Sequence, residues 1–193
     1  MLFDYTELFG FFDFEDIYDM AIEIAPNDSI FVELGSYFGK SACYLAQKVQ
    51  ESKKKITLYV VDMWELIGGE EKHKKYRDSI DPDMYFVFLE TMRRASILSN
   101  IVPIKMDSSK SSRLFNDSSV FFCYIDANHT YNSVLQDIKS WLPKIKSGGI
   151  LAGHDYLNNG ITEPKYEGLE RAVNEMFPDG IERIGNRSWL KRI

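Results

Sequence analysis

Cysteine is scarce in this sequence: Cys43 and Cys123 are the only two in 193 residues, and both sit inside apolar runs, SACYLA and VFFCYID. Two buried thiols are expected rather than a disulfide framework. Long apolar runs are also missing, none approaching the ~20 residues that span a bilayer, so no membrane partner is expected. The N-terminal stretch MLFDYTELFGFFDFEDIYDM is aromatic but studded with acids. It lacks the basic start and small-residue cleavage site of a secretory signal, and a cytoplasmic location is the expectation. Basic residues are outnumbered, 23 Lys and Arg against 29 Asp and Glu, and no basic tract is longer than Lys53-Lys54-Lys55. Attraction to a phosphate backbone would be weak, which disfavours nucleic acid as a partner. Repeats and low-complexity segments are absent as well.

The composition that is present suits one ordinary soluble domain. At 45% hydrophobic and 27% charged the chain is too apolar to be disordered. A chain of this length buries about 70% of its unfolded surface without needing a staple. From Ser29 onward, short apolar runs ending in a polar or glycine turn alternate with stretches of helical period, the pattern of strand-helix units stacked into a parallel sheet. SIFVEL (29–34), ITLYVVD (56–62), IVPIKM (101–106), SSVFFCYID (118–126) and GGILAGHD (148–155) read as five strands. Helical period places helices over 40–51, 84–98, 131–145 and around Leu169 to Phe177. IERI and SWLKRI predict a closing antiparallel hairpin around Gly185-Asn186 at the sheet edge. The expected fold is therefore α/β, a Rossmann-like, doubly wound and mostly parallel sheet with helices on both faces, built as a single domain over 1–193. Residues 1–28 would form an N-terminal helical cap whose phenylalanines pack on the sheet or on a second subunit of a homodimer. Residues 64–83 are too long and polar for a βα turn and read as a lid loop, with His73 on its solvated face.

In an open parallel sheet, ligands bind outside the carboxyl ends of the strands, so the residues just past each apolar run are the informative ones. They are Glu33 to Ser41 after strand one, Asp62-Met63-Trp64 after strand two, and Asp107-Ser108 after strand three. Asp126 and His129 follow strand four, and His154-Asp155 strand five. Gly35 and Gly39 permit a tight turn and close backbone approach at a helix start. Asp62 is placed to accept hydrogen bonds from a ribose diol. The turn reads G-S-Y-F-G-K-S and lacks the third glycine of G-x-G-x-x-G, which argues against a dinucleotide. Glu33 beside the turn would repel a pyrophosphate and attract the cationic sulfur of S-adenosylmethionine.

ELGSYFGKS resembles the glycine turn of the catechol O-methyltransferase family. YIDANHTY and WLPKIKSGGILAGHDY are similar to segments of the class I S-adenosylmethionine-dependent methyltransferases of small O-methyltransferase type. The resemblance covers roughly residues 29–156. It implies that Glu33, Gly35, Ser36, Tyr37, Gly39 and Ser41 surround the methionine part, with Asp126 also on the cofactor. It further implies that Asp62 binds the ribose, Met63 packs on the adenine, and Asp107 and Ser108 touch the adenine edge. Metal-dependent members hold magnesium on an Asp after strand four and an acidic pair after strand five, with a Lys or His three residues past the first Asp as base. By that resemblance Asp126, His154 and Asp155 are metal-site candidates, and Asp126 and His129 the catalytic ones. His154 departs from the oxygen-ligand pattern and would suit manganese, iron or zinc better than magnesium.

The activity expected is methyl transfer from S-adenosylmethionine to a hydroxyl of a small polar acceptor such as a sugar, polyol or phenol. His129 would act as a neutral imidazole base of ordinary pKa, with a divalent cation, magnesium or manganese, assisting. Two alternatives remain open at this point: a metal-dependent oxygenase or hydrolase using His129, His154 and a carboxylate, and a non-catalytic protein that binds an adenosyl ligand. Asp126 also has a plain alternative, as the cap of the helix that begins near Tyr131.

Overall fold

The computed structural model describes residues 4–65, 83–156 and 164–193. Five parallel strands form the centre of the sheet: β1 (Ser29–Leu34), β2 (Ile56–Asp62), β3 (Ile101–Lys105), β4 (Val120–Ile125) and β5 (Ile145–Gly153). Two further strands, β6 (Glu182–Ile184) and β7 (Ser188–Arg192), run antiparallel, and the order across the sheet is β3-β2-β1-β4-β5-β7-β6. β1 pairs with β2 on one side and with β4 on the other. The strand order therefore reverses between β1 and β4, and a crevice opens there at the carboxyl ends.

Helices cover both faces because the central strands are apolar at both parities. In β1 and β4, Phe31, Phe122 and Tyr124 point to one layer, while Val32, Leu34, Cys123 and Ile125 point to the other. The first layer is completed by α1 (Glu15–Ile24), α2 (Lys40–Ser52) and α3 (Met84–Arg94), the second by α5 (Tyr131–Trp141) and α6 (Pro164–Met176). A four-residue helix, α4 (Ser108–Ser111), follows β3. Both cysteines are buried, and Trp64 and Trp141 are core residues at 2% and 0% exposure.

Several boundaries differ from those expected. The helix from Tyr131 stops at Trp141 and continues only as a 3-10 turn, because Pro143 cannot supply the next helical N–H. β5 then starts at Ile145, ahead of Gly148-Gly149. The helix from Met84 stops at Arg94, and Leu98–Asn100 is a separate 3-10 turn. Pro103 is tolerated in β3 because that strand lies at the edge. The hairpin is antiparallel as expected, but β7 pairs with β5 and only the short β6 is an edge. The N-terminal segment packs inward: Phe14 stacks 4.7 Å from Tyr124, and Phe12 lies 5.0 Å from Tyr44. The expected lid falls almost wholly on residues 66–82, outside the described residues, as does His73. Among the described residues no helix is long and apolar enough to cross a membrane.

Candidate active site

The glycine turn is the scaffold of the site. Gly35 has φ +86°, and a Cβ there would lie 2.1 Å from the Asp126 carbonyl oxygen, so only glycine lets β1 and β4 approach so closely. Its N–H donates to Val61 O at 2.8 Å, and the Asp126 N–H donates to Leu34 O at 2.8 Å. Gly39, φ +90°, opens α2 against Phe88 and Met92. Asp62 fastens the turn from the next strand: its Oδ2 accepts the Ser36 and Tyr37 N–H groups at 2.8 and 2.9 Å, and its Oδ1 accepts the Trp64 N–H at 2.6 Å. Three of the roughly four lone-pair sites of this carboxylate are thus held by backbone. Trp64 Nε1 closes the ring by donating to Tyr37 O at 3.0 Å.

Beside the turn lies a cavity of about 360 Å³. Of the residues expected around a cofactor, Gly35, Ser36, Tyr37, Ser41, Asp62, Met63, Asp107, Ser108 and Asp126 line it; Phe11, Glu65, Gln136 and Asp137 join them. Gly39 and Glu33 do not. Glu33 is 1% exposed, and its Oε1 accepts from Ser41 Oγ at 2.6 Å. Burial pushes its pKa up to about 8 against that hydrogen bond, so the side chain is mostly neutral at pH 7. The attraction assigned to Glu33 therefore has to come from other acids. Asp62, Glu65, Asp107, Asp126 and Asp137 are all on the wall, and among the described residues the wall carries no Lys or Arg.

At the far end of the cavity, Asp107 caps α4 by accepting from the Lys110 N–H at 3.0 Å and Ser109 Oγ at 2.7 Å. Although burial opposes it, these donors hold its pKa below the usual value. Asp137, on α5, accepts from Ser108 Oγ at 2.7 Å, and burial pushes its pKa up to about 7.

At the near end, Asp126 stands between the cavity and a cluster of charged groups. The capping alternative does not hold, since Thr130 caps α5 with its own side chain, accepting from the Ser133 N–H. His129 Nε2 lies 3.0 Å from Asp155 Oδ2 and 3.5 Å from Asp126 Oδ1. His154 turns Nδ1 toward Asp155 (3.5 Å) and Asp126 (3.8 Å) and Nε2 toward Asp13 (2.9 Å). Arg187, from the turn before β7, reaches Asp155 at 3.4 Å. Asp155 takes a left-handed φ of +57°, and its carboxylate meets a ring nitrogen of each histidine. Burial alone would lower both imidazoles. The paired carboxylates outweigh it and raise His129 to about 9 and His154 to about 10. Against its own burial, Asp155 is held far below the usual carboxylate range by the two histidines. The expected ordinary imidazole at His129 is thus corrected: it is a stronger base, mostly protonated at pH 7, because two carboxylates flank it.

Asp126, His154 and Asp155 offer one donor atom each within 4.8 Å of one another. The set fits a divalent ion in one further respect. A metal-ligating histidine usually presents its second nitrogen to an outer carboxylate, and Asp13 stands in that position at 2.9 Å. Asp13, Glu65 and Asp137 were missed by the strand-end reading. Asp13 is one acid among many in an acidic segment, Glu65 lies beyond its strand end, and Asp137 is a polar position on a helix.

Over residues 32–156, about two thirds of the chain, the sequence matches the family described as a methyltransferase domain. A protein of Sinorhizobium fredii (strain NBRC 101917 / NGR234), the uncharacterized y4gI, is 26% identical over 124 residues. That match spans 64% of this chain but only 13% of the relative. Among solved structures, the O-methyltransferase NovP superposes with a TM-score of 0.65 at 16% identity, covering 92% of this chain and 78% of NovP. Cofactor-bound Rv0187 from MTB gives 0.66 at 12%, covering 95% and 82%. SMU.1697c from Streptococcus mutans, solved in complex with SAH, gives 0.58 at 14%, covering 91% and 93%. At identities this low the superpositions establish a shared fold alone. With a match over most of its central sheet, the chain belongs to the methyltransferase-domain family.

Proposed function

We propose that the protein is a class I S-adenosylmethionine-dependent methyltransferase acting on a hydroxyl of a small polar acceptor, a sugar, polyol or phenol. One observation carries this reading: Asp126 lines the cavity and also stands 3.5 Å from His129, so the cofactor space and the basic cluster meet at one residue. The acidic wall favours a sulfonium nucleoside and opposes a pyrophosphate. Met63 would pack on the adenine, the turn would hold the methionyl part, and the ribose would share Glu65 with the remaining lone pair of Asp62.

In the reaction, the acceptor oxygen forms a bond to the methyl carbon while the carbon–sulfur bond breaks. The electron pair stays on sulfur, leaving a neutral thioether, and the hydroxyl proton passes to His129 in its neutral form. Alignment of reactants supplies the larger part of the acceleration, about 7–11 kcal/mol at best. Proton removal adds about 10²- to 10⁴-fold. A divalent ion held by Asp126, His154 and Asp155 would lower the pKa of the acceptor hydroxyl.

Transfer of label from methyl-labelled S-adenosylmethionine to a panel of sugars, polyols and phenols tests the reading. Turnover is expected, and His129→Ala should cut kcat by about 100-fold or more while leaving S-adenosylhomocysteine affinity within a factor of about two. Tight donor binding with no transfer to any acceptor would instead mark a protein that only binds the nucleoside. Equal loss of affinity and turnover in the variant would remove His129 from its role.

A further inference from the structure

Charge is unevenly sorted along the crevice. The cavity wall carries acids and, among the described residues, no Lys or Arg, whereas His129, His154 and Arg187 stand beyond Asp126. Of these three, only Arg187 keeps its charge at any working pH. Its backbone is fixed: the Arg187 carbonyl accepts from the Tyr156 N–H at 2.9 Å, and the buried Ser188 that follows lies 2.8 Å from Tyr124 Oη through its Oγ. Its side chain is hardly used. Nη1 meets Asp155 Oδ1 at 3.4 Å, longer than the roughly 2.7–2.9 Å of a good charge-assisted bond, and the other four guanidinium N–H groups have no partner among the described residues. Asp155 is already met by His129 at 3.0 Å and His154 at 3.5 Å, so a third, single-point cation adds little to stability.

Exposure points the same way. The Asp155 side chain is 7% exposed, while His129 on its Oδ2 and Arg187 on its Oδ1 are 35% and 40% exposed. Two open groups thus flank one covered carboxylate. An acceptor whose hydroxyl reaches His129 has the guanidinium on the other side of that carboxylate. Asp13 is open at this end too, but its Oδ1 is committed to His154 Nε2 at 2.9 Å. A guanidinium fork grips a carboxylate through two parallel bonds, and the acids of the cavity wall repel the same group. Both effects set which end of an anionic acceptor lies nearest the methyl donor.

We propose that the acceptor is a hydroxy acid, His129 taking the proton of its hydroxyl and Arg187 holding its carboxylate. This rests on the reading that the methyl group goes to a hydroxyl at His129. Arg187 sets specificity and touches no reacting atom.

Paired acceptors with and without a carboxylate test this: glycerate against glycerol, glucuronate against glucose, and dihydroxybenzoate against catechol. Each is offered with methyl-labelled S-adenosylmethionine to the wild type, Arg187→Gln and Arg187→Lys. In at least one pair the wild type should favour the acid by about tenfold in kcat/KM, carried by KM. Arg187→Gln should bring that ratio toward one by raising KM for the acid. Arg187→Lys keeps the charge without the fork and should fall between the two. An equal loss of kcat on both members at an unchanged ratio marks an ion pair that only supports Asp155, and it overturns the proposal. So does a wild type that favours the acid in no pair. Label recovered as a base-labile ester also overturns it, because the carboxylate then sits at the methyl group and not at Arg187. Transfer to neither member of any pair, with S-adenosylhomocysteine still bound, removes the hydroxyl-transfer reading and this proposal with it.

Discussion

Glu33 shows how one residue's burial changes its chemistry. At position 33 of β1 the side chain points into the layer beneath α2, where Ser41 meets it, and not out of the strand end. Its pKa of about 8 in the fold lies above the unfolded carboxyl value of ~4.3. A raised folded pKa means that the native state binds the extra proton, so this contribution is complete below pH ~4 and is lost as pH climbs through about 8. Between pH 5 and 8 the wild type should therefore lose more stability than Glu33→Gln, by on the order of 1–3 kcal/mol, in chemical denaturation at each pH. Parallel pH profiles for the two proteins would mean that Glu33 is ionised in the fold.

Two elements bring the site together, and each can be broken separately. The first is the turn after β1. Gly35→Ala puts a methyl into the Asp126 carbonyl at a left-handed φ, and it should cost about 3 kcal/mol or more and abolish S-adenosylhomocysteine binding. A variant that unfolds at the wild-type denaturant midpoint and still binds would contradict the close approach of β1 and β4. The second element is the N-terminal segment, which carries Asp13 to His154. Asp13→Asn should reduce kcat about tenfold with unchanged nucleoside affinity, because the ring is oriented from outside the cavity. A loss of affinity with intact kcat would move Asp13 from the reaction end to the nucleoside.

The two elements were not equally legible. The turn is local: Gly35, Gly39 and the acid at Asp62 sit at strand ends that apolar runs delimit, so strands, turn and most of the cavity wall follow from chain order. Asp13 reaches His154 from a segment whose flanking Phe12 and Phe14 pack on Tyr44, Tyr124 and His154, and no spacing in the chain encodes that contact. From chain order Glu33 reads as a ligand contact and Asp137 as an ordinary polar position on a helix, because the roles of both depend on which layer covers them. The charge state of His129 depends on Asp155, whose left-handed backbone no motif announces.

At the scale of the whole molecule, the sheet order that reverses between β1 and β4 decides where a ligand can enter, and the acids on that crevice decide its charge. A neutral Glu33 does not weaken this, since Asp62, Asp107 and Asp126 are on the wall itself. The central claim is that this crevice takes a sulfur nucleoside and not a dinucleotide. Isothermal titration of the purified chain with S-adenosylhomocysteine and with a nicotinamide dinucleotide tests it most directly. Saturable one-to-one binding of the first and none of the second is the predicted result; binding of the dinucleotide with no heat from S-adenosylhomocysteine would contradict it.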